Sequence, residues 1–132
     1  MTAVRAVTGG IQVDGEDSCV VMADICRLLD QLISRNSLAA EDVISLMFTA
    51  PPGLACQDPA AAAASVGLAG VPVVHLTNIA VFCPGTRVFR VLAHVLTERP
   101  RGVLHDVYLN GAAEAGAEDR VPPRAEPVPA IG

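Results

Sequence analysis

The chain contains no tryptophan, a single tyrosine and no lysine, so that all nine of its cations are arginines. With aromatic residues at 3% there is no set of ring platforms on which bases could stack, and the arginines are scattered through a chain of formal charge -5 without forming a basic stripe. Both absences exclude nucleic acid as a partner. Also missing are an apolar run long enough to span a bilayer and a basic start followed by an apolar signal core. A soluble, cytoplasmic protein with no membrane partner is expected. The four cysteines (Cys19, Cys26, Cys56 and Cys83) form no C-x-x-C and no Cys/His pair at zinc spacing. They read as reduced packing thiols, and no metal or cofactor is expected. There is no internal repeat.

What is present is a 132-residue chain with 52% hydrophobic residues, enough for one core and too short for two. Val4-Arg5-Ala6-Val7 alternates as a half-buried strand, and Gly9-Gly10 predicts a kink before Ile11-Gln12-Val13. Asp17 or Ser18 can cap a helix in which Val21, Ile25, Leu28 and Leu32 recur at helical spacing. That helix is expected to end near Asn36, because asparagine tolerates the left-handed conformation that closes helices. Val43 to Thr49 reads as a buried strand stopped by Pro51-Pro52-Gly53. Asp58-Pro59 starts a short helix ending at Gly67. Strands follow at Val71 to Val74, at Arg87 to Thr97, where β-branched and aromatic residues tip an ambiguous pattern, and at Val103 to Leu109.

This order predicts an α/β (α+β) domain over residues 1–110, with a mixed sheet, one long helix and one short one. Residues 111–132 hold four prolines and no aromatic side chain, and are expected to form a mobile Ala/Pro/Glu-rich tail. So few helices leave one sheet face bare, which predicts that another subunit covers it.

Taken alone, Arg90 reads as a solvated or ion-paired strand residue, Tyr108 as a packed ring with a wet hydroxyl, and His75, His94 and His105 as structural or surface histidines. Several segments together, however, resemble the monofunctional trimeric chorismate mutases, the small α/β family distinct from the all-helical ones. The carriers are Val4-Arg5-Ala6-Val7 with a following glycine, Glu41-Asp42-Val43 opening a strand that ends Thr49-Ala50-Pro51, Val71-Pro72-Val73, Arg90, and Val107-Tyr108-Leu109. The resemblance runs from the first strand to about Asn110.

The resemblance implies a pseudo-barrel homotrimer with sites between subunits, and a cofactor-independent Claisen-type rearrangement of chorismate to prephenate. Arg90 would stabilise charge on the breaking ether oxygen, and Tyr108 would hold the side-chain carboxylate. His75 stands where the family has a cysteine and joins these two as a catalytic candidate. The substrate-binding candidates are Asn78, Thr8, Val73, Val74 and Gln57. Several of these positions depart from the pattern. Thr8 replaces a second arginine, Asn78 a glutamate, and Gln57 or Asp58 an aromatic residue, while Ala60 and Ala63 fall where the family is cationic. Arg5, on the opposite strand parity, is a poor substitute for the missing arginine.

A charge-assisted hydrogen bond contributes about 1.5–3 kcal/mol, so losing two or three removes about 10² to 10⁶ of rate. The expectation is therefore an isomerase of a specialised biosynthetic pathway, acting weakly on chorismate and better on a small carboxylate or enolate acid. Two alternatives stay open: a catalytically inactive ligand-binding or assembly partner, and a His75-dependent acid/base isomerase, cyclase or dehydratase.

Overall fold

The computed structural model describes residues 2–13, 17–50, 58–77 and 87–112. Along the chain they form β1 (Ala3–Gln12), α1 (Ser18–Arg35), β2 (Val43–Ala50), α2 (Pro59–Ser65), β3 (Val73–Thr77), β4 (Val88–Thr97) and β5 (Val107–Leu109), with short 3-10 turns at Ala40–Asp42 and Arg101–Val103. The five strands make one mixed sheet in the order β3-β2-β4-β1-β5. The pairs β1/β4 and β2/β4 are antiparallel, and β1/β5 and β2/β3 are parallel.

Strand alternation divides the sheet into two unlike faces. Val7, Ile11, Leu46, Phe48, Phe89, Val91 and Val95 point to one side, where they join Val21, Ile25, Leu28, Leu29 and Leu32 of α1 in a single buried cluster. α2 packs on the same side through Ala62 and Ala63. The opposite face carries Val4, Met47, Val74, Leu76 and Leu96, all exposed, with Arg90 and Thr8 among them. The bare face expected from the small number of helices is present.

Both helices are capped by their own sequence. Asp17 accepts a hydrogen bond from the Cys19 amide at 2.9 Å, and Asp58 accepts from Ala60 and Ala61 at 3.1 and 3.3 Å. α2 closes in a Schellman motif with Gly67 at φ +89° and the Leu68 amide on the Ala63 carbonyl at 2.8 Å. α1 closes the same way, with Leu38 on Ile33 at 3.0 Å, but the left-handed residue is Ser37 at φ 52°. Asn36 itself has φ -104°. The expected end of the helix is right and the reason given for it is not: the Asn36 side chain is used elsewhere.

Four other expectations change. β1 runs through Gly9-Gly10 without a break, paired to β4 along its whole length. The glycines serve close approach instead: a Cβ on Gly9 would lie 3.0 Å from the Val107 carbonyl oxygen and 3.1 Å from Leu28 Cδ1, and one on Gly10 would lie 3.2 Å from the Tyr108 ring. The strand expected from Val103 is confined to Val107–Leu109, because residues 101–103 turn. Ala112, placed in the expected tail, is fully buried beside Val88 and Tyr108; the tail from residue 113 lies outside the described residues. Of the cysteines, Cys19 is exposed rather than packed and Cys26 is half-buried with its thiol 3.7 Å from the Ala62 carbonyl, while Cys56 and Cys83 lie outside the described residues.

Candidate functional site

Register across the sheet assembles the site. Leu76 of β3 pairs with Thr49 of β2, Thr49 with Arg90 of β4, Arg90 with Gly10 of β1, and Gly10 with Tyr108 of β5. Directly paired residues share a face, so one transverse row carries Thr49, Arg90 and Tyr108 on the bare side of the sheet. Because Gly10 has no side chain, the Tyr108 ring can approach β1 closely there. Its other neighbours are Val88 and Ala112. Thr8, two residues before Gly10, faces the same way, and its hydroxyl lies 3.2 Å from the Tyr108 hydroxyl.

These residues line a pocket of about 260 Å³ whose walls include Thr8, Met47, Thr49, Arg90, Leu92 and Tyr108. Among the described residues lining it, Arg90 is the only charged one. In largely apolar surroundings a guanidinium interacts with an anion more strongly than it would in bulk water, and its planar fork suits a carboxylate. The hydroxyls of Thr8 and Tyr108 can each donate or accept. One cation and a coupled pair of hydroxyls suit a small acid with its carboxylate at Tyr108 and a second, charge-gaining oxygen at Arg90.

The strand bearing Tyr108 has three residues and is fastened at both ends. The Asp106 carboxylate accepts from the Thr8 amide at 2.9 Å. Asn36 bonds the backbone of His105 twice, donating to its carbonyl at 2.9 Å and accepting from its amide at 2.7 Å. Beyond the strand, Asn110 at φ 55° accepts from Arg27 of α1 at 2.6 Å and donates to the Gln12 carbonyl at 3.3 Å.

Of the residues expected at the site, Arg90, Tyr108 and Thr8 come together. Val74, paired with Met47, is on the pocket side of the sheet, whereas Val73, paired with Leu46, is on the helix side. His75 is not brought to the pocket. It pairs with the fully buried Phe48, not with Thr49, and that one-residue offset turns it to the helix side, where its Nε2 is buried without a hydrogen-bond partner among the described residues. Arg5 pairs with Val95 and also faces the helices, as its parity requires. Ala60 is exposed and Ala63 is buried in the core. Asn78 and Gln57 lie outside the described residues.

Sequence reasoning missed Thr49, Met47 and Leu92. They sit inside apolar runs read as buried strands, and only alternation against a bare face separates their side from the core. Thr49 was the available signal, as one of the two hydroxyl residues in Val43 to Thr49, with Ser45, both at the parity of Met47. Its Oγ1 is buried without a hydrogen-bond partner among the described residues.

A model of the family described as chorismate mutase type I matches residues 4–118. The chain is 30% identical over 112 residues to the chorismate mutase AroH of Thermus thermophilus, a match covering 83% of this chain and 90% of that protein. The solved structure of a chorismate mutase from Clostridium thermocellum resembles it with a TM-score of 0.78 at 29% identity, over 83% of this chain and 98% of that one.

Proposed function

The chain belongs to the chorismate mutase type I family, and on that premise we propose that it is a cofactor-independent isomerase whose site is the Arg90 pocket and whose preferred substrate carries less charge than chorismate. The observation that carries this reading is the pocket lining, in which Arg90 is the one charged side chain among the described residues. Where the resemblance leads one to expect a second cation on β1, Thr8 hydrogen-bonds Tyr108.

In a rearrangement of this class the substrate's own bonds break and form in one concerted reorganisation, so the protein supplies position and electrostatics. Arg90 stabilises the oxygen that gains negative charge as its bond to carbon breaks. Tyr108 donates its hydroxyl to the substrate's carboxylate while accepting from Thr8, and a donor that is itself accepting is strengthened. The apolar walls contributed by Met47 and Leu92 favour a compact conformer with its reacting carbons in contact. No step in this scheme needs His75.

The bare sheet face supports assembly into a homotrimer with each pocket at a boundary between copies. Val4, Val74 and Leu76 there are 58%, 50% and 47% exposed in the single chain, and apolar side chains gathered on one open sheet face are ordinarily covered.

The test is turnover by purified protein of chorismate and of enol ethers carrying one carboxylate. Product from a monocarboxylate at a higher kcat/KM than from chorismate is expected, with the chorismate value below the floor of about 10⁴ M⁻¹ s⁻¹ for ordinary enzymes. A chorismate value well above that floor overturns the substrate reading. Tight binding of such acids with no turnover of any of them would favour the non-catalytic alternative.

A further inference from the structure

We propose that Asn36, remote in sequence and outside the pocket, is the positioning residue of Tyr108. Asn36 is the single buried polar or charged residue among the described residues, at 1% exposure. Its amide is fully engaged. The nitrogen donates to Leu32 in the last turn of α1 and to the His105 carbonyl, both at 2.9 Å, and the oxygen accepts from the His105 amide at 2.7 Å.

The two bonds to His105 reproduce what a neighbouring strand would supply, so Asn36 acts as a one-residue strand partner for the segment entering β5. That segment needs one. β5 is three residues long, pairs only with β1 and lies at the sheet edge. From His105 the chain runs through Asp106, which bonds the Thr8 amide, to Tyr108. The clamp therefore sets the height of β5 relative to α1, and with it the placement of the Tyr108 hydroxyl against Thr8. The Schellman closure through Ser37 and Leu38 terminates the helix backbone, so one Asn36 side-chain bond, to the Leu32 carbonyl, stays within α1 and the other two reach His105.

The sequence provides a clean probe, because Tyr108 is the only tyrosine and there is no tryptophan. Intrinsic fluorescence at the tyrosine wavelength reports on Tyr108 alone and does not depend on what the protein catalyses. Asn36→Ala and the closer Asn36→Asp, which keeps the acceptor for the His105 amide, are compared with the unaltered protein by far-ultraviolet circular dichroism, fluorescence anisotropy and acrylamide quenching. The expected result is an unchanged helix and sheet signal, lower Tyr108 anisotropy, and quenching raised at least about twofold in Asn36→Ala with Asn36→Asp between. Tyr108 signals unchanged in a folded variant, whatever its melting temperature, overturn the proposal and leave Asn36 with a purely structural role.

If neither variant folds, amide exchange in the unaltered protein decides. The His105 amide and those of residues 107–109 should open as one unit, and β5 amides that stay protected while His105 exchanges freely overturn the proposal. The kinetic arm rests on the functional reading above: kcat/KM should fall about ten- to hundredfold, since a shift of about 1 Å can cost about 10²-fold. Tyr108 loosened without any kinetic change would contradict that reading while sustaining this one.

Discussion

The hydroxyl of Thr8 and the phenol of Tyr108 lie 3.2 Å apart, joining β1 to the edge strand β5 on the pocket side of the sheet. The Thr8 backbone amide, bonded to Asp106, makes a second tie between the same two segments. Replacing the Thr8 side chain should therefore alter chemistry more than stability. Thr8→Val keeps the shape and the amide bond and removes the hydroxyl. It should lower kcat/KM about three- to tenfold with stability changed by about 1 kcal/mol or less. Thr8→Arg adds a cation beside Arg90 and should raise turnover of chorismate relative to monocarboxylate acids by about ten- to hundredfold, one charge-assisted bond's worth. Steady-state kinetics of both variants on both substrates, with thermal melts, check this.

Gly9 and Gly10 should separate stability from activity. A Cβ at Gly9 meets a backbone carbonyl at 3.0 Å and Leu28 at 3.1 Å, so Gly9→Ala forces α1 or β5 outward and should cost about 1–3 kcal/mol. A Cβ at Gly10 meets the movable side chains of Tyr108 at 3.2 Å and Val88 at 3.3 Å. Gly10→Ala should cost less stability and more kcat/KM, because the ring that yields is at the site. Denaturant melts and kinetics on the two single variants would show the opposite ordering if Tyr108 were only packing.

His75 faces the helices, so His75→Ala should leave kcat/KM within about twofold of the unaltered protein, the effect of a substitution away from the site. A large loss of kcat in a folded His75→Ala protein would revive the acid/base alternative.

The bare face should hold the assembly together. Leu76 is 47% exposed in the single chain and contributes little to the chain's own core, so Leu76→Asp should spare the fold while placing a carboxylate in an apolar contact. Sedimentation velocity should show the unaltered protein as a trimer and the variant shifted toward monomer. A monomeric, cooperatively folded unaltered protein would remove the interfacial-site reading.

Much of the fold was legible because its signals are local. The Asp17 and Asp58 caps, the α1 stripe of Val21, Ile25, Leu28 and Leu32, and the glycine that ends α2 act within a turn or two of chain. Strand β4 was harder, since its run of apolar residues fits either period, and β-branching decided it correctly. What local pattern could not show was register. Whether residue 75 or residue 76 stands beside Thr49 decides which face His75 takes, and that depends on β2 and β3 meeting across more than twenty residues of intervening chain. The same holds for Asn36, whose partner His105 lies 69 residues away. Its identity as a helix-ending asparagine was visible, and its use of the amide was not. Gly9-Gly10 shows a third limit: the pair reads as freedom to bend, whereas tertiary contact makes it a requirement for closeness.

The central claim is that Arg90 supplies the charge around which the reaction is organised. The direct measurement is kcat/KM of Arg90→Ala against the unaltered protein on whichever acid the protein turns over best, with circular dichroism and sedimentation confirming the same fold and assembly. A loss of at least about 10²-fold, carried mainly by kcat, is predicted for a group acting on transition-state charge. Retention of turnover within about threefold in a folded, assembled Arg90→Ala protein would contradict the account.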